Sequence, residues 1–334
     1  MMNKKILIVT DNLPNQVNGV VTTFKNLEIQ ANKDGYEVVY INPSLLPHIS
    51  CPGYPEVKLS WPFIGKIIRK IDPYYIHIAT EGPLGLATRI YCDLHNLKYN
   101  TSYHTKLPEY MKEIYGIPLP ITYAYVRWFH KHSGKVLTTT KTMVNDLIDH
   151  GFKSNIIPWT RGVDRDTLKP TQEHINCYIG LKPVVLYVGR VSKEKNLDVL
   201  CELQDKYNIW IVGDGPYTKE LKSKYPNVTF FGYQSGTELA NSYIKADVFC
   251  FPSKTDTFGI VIIEALSVGT PVAAFSVPGP IDIIEQGLTG YMGDDLSQNI
   301  ELCLRLNRKS VRLASQKWTW EECWNIFKSN LLDI

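Results

Sequence analysis

DVFCFPSKTDTFGIVIIEALSVGTPVAAF, residues 247–275, holds one complete strand–helix–strand passage of the 334-residue chain. Residues 247–252 are an apolar run of strand length, closed by Pro252. A polar loop with Asp256 follows, and Thr257-Phe258-Gly259 opens a helix that is apolar on nearly all sides. Gly269 and Pro271 stop that helix, and 270–275 form the next apolar strand. Continuous apolar strands joined through helices are buried on both faces, the mark of a parallel sheet in an α/β protein.

The pattern extends outward. Strand candidates at 183–189, 208–213 and 228–232 come before it, each followed by a helix candidate. An earlier series runs 4–9, 37–42, 74–79, 98–103, 135–140 and 155–159. Between the two series lies RGVDRDTLKPTQEH (161–174), which has linker composition. The chain therefore reads as two Rossmann-like, doubly wound parallel-sheet domains joined near 160–182, with a cleft between them. The expected division is a domain over 1–165, a second over 166–316, and a terminal helix over 317–334 packing back on the first. That helix carries Trp320, Trp324, Phe327 and Leu331 on one face.

Composition narrows the class. With 44% hydrophobic and 21% charged residues, 22 Gly and 20 Pro, the chain is globular rather than disordered, collagenous or coiled-coil. A net charge of +3 is too small to argue for nucleic acid. Its distribution is uneven: residues 1–160 hold 17 Lys and Arg against 12 Asp and Glu. A basic first half suits an anionic membrane or substrate. The seven Cys include no C-x-x-C pair and read as reduced thiols of a cytosolic protein. Too few apolar residues precede Asp11 for a signal-peptide core, and the longest apolar run is broken by Glu264, Gly269 and Pro271. The expectation is a cytoplasmic chain with at most peripheral membrane contact.

In open α/β sheets ligands bind beyond the carboxyl ends of the strands. The loop after the first strand contains Asn18-Gly19-Val20 and opens a helix, so Gly19 allows backbone to approach a phosphate or sugar; the competing reading is a plain turn. VGRVSKEKN (188–196) puts Arg190 and Lys195 after a strand, a fork and a point charge suited to a diphosphate. GDGP (213–216) is half a dinucleotide fingerprint with Thr218 at the third Gly position, which argues for a tight turn with Asp214 capping and against NAD. Glu264 stands among Ile260, Ile262, Ile263, Ala265 and Leu266 and needs a partner, for which two ribose hydroxyls serve. The helix start at Thr257 offers amides to an anion. The alternative makes Asp256 an N-cap and Glu264 a surface residue. His104, in TSYHTKLPEY (101–110), ends a strand of the first domain.

Together, VGR-x4-K, VGDGP, FFGYQSGTEL, ADVFCFPS, TDTFGxxxxEAL and GTPV resemble glycosyltransferase family 4, retaining enzymes of the two-domain GT-B fold. VNGVVTTF, HIATEGPLGL, TSYHTKLPEY and RGVD resemble its branch of sulfolipid, glucuronosyl-lipid and mannosyl transferases. The resemblance implies that Arg190 and Lys195 bind the donor diphosphate and Glu264 the ribose. It implies that Asp256, where the family usually has Glu, touches the donor sugar, with Thr257, Phe258 and Gly259 offering amides. Gly19 would approach the phosphates or sugar, and His104 the transferring sugar. No metal or other cofactor is then expected, and Asp164-Arg165-Asp166 reads as a hinge with solvated acids.

The acceptor is read from the first half. Seven aromatics, Tyr103, Tyr110, Tyr115, Tyr123, Tyr125, Trp128 and Phe129, alternate with Lys106, Lys112 and Arg127, as at a lipid–water interface. FIGKIIRKI (63–71) has a similar make-up, where core packing under a solvated basic face is favoured. The resulting expectation is transfer of a hexose or hexuronic acid, from a UDP-sugar, to diacylglycerol at the inner face of the cell membrane. The alternative is a GDP-mannose-dependent mannosyltransferase of lipopolysaccharide, capsule or phosphoinositide glycan assembly. More distant are a sugar-nucleotide epimerase and a noncatalytic sugar-binding protein.

Overall fold

The computed structural model describes residues 4–16, 18–51, 54–60, 64–169 and 182–334. Contacts divide the chain into two compact units, Met1–Arg161 with Trp320–Ile334, and Gly162–Thr319.

The first unit is built on β1 (Lys4–Val9), β2 (Tyr36–Ile41), a hairpin of β3 (His48–Cys51) and β4 (Tyr54–Ser60), then β5 (Tyr75–Ile78), β6 (Asn100–Tyr103), β7 (Val136–Thr138) and β8 (Ile156–Pro158). Apart from the antiparallel hairpin, its strands form one sheet in the order β2-β1-β5-β6-β7-β8, parallel throughout. Ile6, Leu7, Ile8 and Val9 are fully buried because helices cover both faces of β1. One face packs Phe24 of the helix Gly19–Lys33 against Trp159, Trp324 and Phe327. The last two come from the helix Trp320–Ser329, which is tied down by Trp324 Nε1 and Lys328 Nζ donating to Asp34 at 2.7 and 2.8 Å.

The second unit comprises β9 (Val184–Val188), β10 (Asn208–Val212), β11 (Thr229–Gly232), β12 (Val248–Phe251), β13 (Val272–Ala274) and β14 (Gly290–Met292). These pair in parallel in the order β11-β10-β9-β12-β13-β14. The apolar passage 247–275 is folded as its sequence dictates, with β12 and β13 flanking the helix Ile260–Ser267. Val163 and Leu168 pack into this unit's core, so the described start of the linker stretch is folded; its remainder, 170–181, lies outside the described residues.

The hairpin and β14 have no counterpart in the sequence reading. Both are short, and β14 lies at the sheet edge between Gly290 and Gly293, where no apolar run marks a strand.

Candidate active site

In the second unit the strand order reverses at β9, so the loops leaving β9 and β12 begin side by side. That switch point is where such sheets bind ligands. Lys195 ends a single tight turn, Lys193–Lys195, and Asn196 follows in the left-handed region at φ 56°. The Asn196 amide donates to the Pro252 carbonyl at 3.3 Å, tying the two loops together. Lys195 Nζ then donates to both oxygens of Asp256, at 2.7 and 2.9 Å. The side chains are only 14% and 25% exposed, which shields the pair from salt.

Asp256 is therefore a partner of Lys195 and not a helix cap. The helix Ile260–Ser267 is capped by Gly259 at φ 87°, where a Cβ would also meet Ile262 Cδ1 at 2.9 Å. Thr257 and Phe258 are buried just ahead of it.

Arg190 is half-buried, and its carbonyl accepts the Tyr187 hydroxyl at 2.9 Å. The neighbouring GDGP turn holds its loop from below: Val191 N–H donates to the Asp214 carbonyl and Tyr217 N–H to the Val191 carbonyl, both at 3.0 Å. A Cβ on Gly213 would lie 1.9 Å from the Gly189 carbonyl oxygen, so only glycine lets the loops meet. Asp214 caps the turn itself, accepting from Gly215 N–H and the Thr218 hydroxyl, each at 2.7 Å.

Glu264 has the partner that its apolar surroundings require. The fully buried Tyr243 donates its hydroxyl to Oε2 at 2.8 Å. Burial raises the Glu264 carboxyl above its ordinary range, the Tyr243 bond opposes that rise, and the charge of Asp164 adds to it. Asp164 itself is held low by the Thr167 hydroxyl at 2.6 Å. Arg165 donates to the Ser315 carbonyl at 2.5 Å, and Asp166 pairs with Lys169 at 2.7 Å. The D-x-D triplet is thus a turn whose two acids, Asp164 and Asp166, are exposed to solvent, with Arg165 half-buried between them. Tyr243 and Asp164 were not foreseen as neighbours of Glu264, because only the fold brings them together.

In the first unit the order reverses at β1, placing the loops after β1 and β5 together. Buried Asp11 accepts from the Thr80 hydroxyl at 2.6 Å and from Leu84 N–H at 2.8 Å. It thereby caps the helix Pro83–His95, whose own cap residue, Gly82, has no side chain. Gly19 is exposed at the start of its helix, with Asn18 accepting from Val21 N–H at 2.9 Å. His104 follows β6 and is buried; Arg161 Nη2 lies 2.9 Å from its Nδ1. Burial, then the Arg161 charge, keeps the His104 ring well below the ordinary histidine range. No local signal in the RGVD stretch ties Arg161 to His104, 57 residues earlier in the chain.

The aromatic stripe is largely core. Tyr103, Tyr123 and Phe129 are buried, while Tyr115 and Trp128 are exposed, with Arg89 stacked 3.9 Å over Trp128. In the helix Ile64–Ile71, Ile64 and Ile68 are buried beneath exposed Lys66, Arg69 and Lys70. Phe63 lies outside the described residues.

A family model described as Glycosyltransferase Family 4 matches residues 17–167, and one described as Glycosyl transferases group 1 matches 179–312. The sulfoquinovosyl transferase SQD2 of Arabidopsis thaliana is 30% identical over 81% of this chain, which spans 59% of that relative's length. The chain belongs to glycosyltransferase family 4.

Other relatives of this glycosyltransferase differ in what their names say they use. A GDP-mannose-dependent alpha-mannosyltransferase of Corynebacterium glutamicum is 26% identical over 87% of this chain and 76% of its own. An alpha-monoglucosyldiacylglycerol synthase of Streptococcus pneumoniae is 26% identical over the same shares. Among solved structures, a sucrose-phosphate synthase from Thermosynechococcus elongatus superposes with a TM-score of 0.80 at 18% identity over 98% of both chains. Anabaena Alr3699/HepE, solved with UDP and glucose, gives 0.75 at 16% identity over 98% of this chain and 99% of its own. The fold of the glycosyltransferase is GT-B, with two Rossmann-like domains. Among the described residues no helix is long and apolar enough to cross a membrane.

Proposed function

We propose that this glycosyltransferase moves a hexose or hexuronic acid, with retention, from a UDP-sugar to a membrane lipid acceptor, diacylglycerol. The observation that carries the reading is that Arg190 and Lys195 follow β9 while Asp256 and Glu264 follow β12, its neighbour at the switch point, with Lys195 bound to Asp256 and Glu264 to Tyr243. Cations after one strand and a carboxylate held by the Tyr243 hydroxyl after the next suit a diphosphate joined to a ribose.

In this reading the bond between the anomeric carbon and the diphosphate oxygen breaks, and the leaving group keeps the electron pair. Arg190, Lys195 and the helix start after Gly259 neutralise the charge that grows there. The acceptor hydroxyl attacks the face that the leaving group vacates, and its proton leaves with the diphosphate. Atoms and charge balance without a metal. Asp256 holds two of the three donors of the Lys195 ammonium, so a diphosphate that draws on either of those two competes with Asp256 for Lys195. Asp256, with Thr257, Phe258 and Gly259, is assigned to the donor sugar. Glu264 is assigned to the ribose, Gly19 to the phosphates or sugar, and His104 to the transferring sugar.

The names of two relatives, a sulfoquinovosyl transferase and a monoglucosyldiacylglycerol synthase, support the lipid acceptor. An exposed apolar corner at Ile114, Tyr115 and Ile121 supports a peripheral position at an anionic membrane. The mannosyltransferase relatives favour a second reading, GDP-mannose with a glycan acceptor.

Nucleotide release from UDP- and GDP-sugars, with and without diacylglycerol liposomes, separates the two. Lipid-dependent release with one UDP-sugar is expected; release from GDP-mannose that ignores lipid would establish the second reading. Turnover lost in chelator and restored by Mn²⁺ would overturn the metal-free mechanism.

A further inference from the structure

We propose that Arg161 is a positioning residue, fixing His104 as the neutral tautomer with its proton on Nε2, so that His104 acts as a hydrogen-bond donor and not as a base. The inference rests on the assignment of His104 to the transferring sugar for its functional part only.

The argument is one of donor inventory. A guanidinium has five N–H donors and no acceptor. With Arg161 Nη2 at 2.9 Å, Nδ1 of His104 must present its lone pair. A neutral imidazole then has one place left for its hydrogen, Nε2. The fork cannot turn away, because Arg161 Nη1 also donates to the carbonyls of Trp159 and Thr160 at 2.6 and 2.8 Å. Its guanidinium lies 4.4 Å from the centroid of the Trp159 ring. The imidazole is held as firmly: Phe24 meets it edge-on at 5.7 Å, and Trp159 lies at the same distance on another side.

The groups facing His104 all oppose its protonation. Burial is the largest, the Arg161 charge follows, and His77 of β5 and His130 of the helix Leu119–His130 add smaller contributions. Arg161 stays charged, since burial lowers its guanidinium only to about 10. A ring so placed holds a sugar hydroxyl by donating to it, and the acceptor proton must go elsewhere.

The test is nuclear magnetic resonance of the full chain with isotope-labelled histidine, the His104 signals being assigned by their loss in His104→Gln. The expected spectrum is the Nε2–H tautomer with no titration between about pH 5 and 8. An imidazolium, or a proton on Nδ1, would overturn the proposal. Arg161→Met should release the tautomer and lower kcat at least about tenfold with KM little changed, while Arg161→Lys restores part of both. Should Arg161→Met fail to fold, the wild-type and Arg161→Lys spectra still decide.

Turnover of UDP-glucose and GDP-mannose by His104 variants tests the donor role separately. A Gln amide nitrogen falls near the imidazole Nε2, so His104→Gln should keep more activity than His104→Ala. Equal loss in both overturns donation from Nε2. Full activity in His104→Ala, with the expected spectrum, removes the sugar assignment and leaves the tautomer standing.

Discussion

His77 lies in the middle of β5 with no exposed surface, its Nε2 2.5 Å from Ser102 Oγ. Burial pushes its ring down to about 3, so below pH 6.5 the unfolded chain binds a proton that the folded chain refuses. Its contribution is full above about pH 6.5 and lost as pH falls to about 3, roughly 5 kcal/mol over that span. Asp11 works the other way. Its carboxyl is pushed up to about 6 by burial, so ionising it costs the folded chain about 3 kcal/mol above that pH, relieved as pH falls from about 6 to 4. The two slopes offset each other between about pH 4 and 6, at roughly 1.4 kcal/mol per unit each. Asp11→Asn should therefore steepen the acid loss of stability and His77→Gln should flatten it, as read from urea unfolding at stepped pH. Equal slopes in wild type and both variants would show that these groups are not perturbed. At Lys195 the competition with Asp256 sets a second expectation. Lys195→Ala should weaken UDP binding about 10- to 100-fold, whereas Asp256→Asn should strengthen it about threefold while slowing transfer. Weaker UDP binding in Asp256→Asn, by titration calorimetry, would mean the carboxylate positions the lysine instead of competing for it.

The elements that carry long apolar runs could be read directly: β1, β9, β12 and the helix Ile260–Ser267 fall where their sequences put them. The residues proposed for chemistry stand in the loops, or on the helices, that follow strand ends, where the sequence reading puts them. Their partners were not legible. Tyr243 and Glu264 are 21 residues apart, and Arg161 and His104 are 57 apart; no local period connects such pairs, which depend on strand order. The GDGP turn shows the same limit. Its sequence gives a tight turn, but not that Gly213 is pressed against the Gly189 carbonyl beneath Arg190. Gly213 also sits at φ 126°, which L side chains rarely adopt. Gly213→Ala should therefore act on the Arg190 loop, costing about 1–3 kcal/mol of stability and at least about tenfold in UDP affinity. Wild-type UDP affinity in that variant would mean that the Arg190 loop does not depend on this contact.

At the scale of the whole molecule the two sheets differ. Leaving out the hairpin, the first unit runs 2-1-3-4-5-6 and the second 3-2-1-4-5-6 in local strand number, and each reverses where its candidate loops begin. The charge differs too, with the excess of Lys and Arg confined to the first half of the chain. In that half the turn between the helices Leu107–Tyr115 and Leu119–His130 leaves Ile114, Tyr115 and Ile121 exposed by 37, 40 and 62%. Lys112 is exposed just before them, and Lys66, Arg69 and Lys70 line the solvent side of their own helix. Apolar side chains next to lysines combine insertion between lipids with attraction to anionic headgroups, and neither alone anchors firmly. On the lipid-acceptor reading, Ile121→Glu should lower binding to phosphatidylglycerol vesicles about tenfold and lower transfer to vesicle-borne diacylglycerol in step. UDP affinity should stay as in wild type, because Ile121 belongs to the first unit and the residues assigned to the nucleotide, Arg190, Lys195 and Glu264, belong to the second. Replacing Lys66, Arg69 and Lys70 together by Gln should instead remove the salt dependence of vesicle binding. Vesicle binding indifferent to both changes would take the membrane surface away from this corner, and with it the strongest structural support for a lipid acceptor.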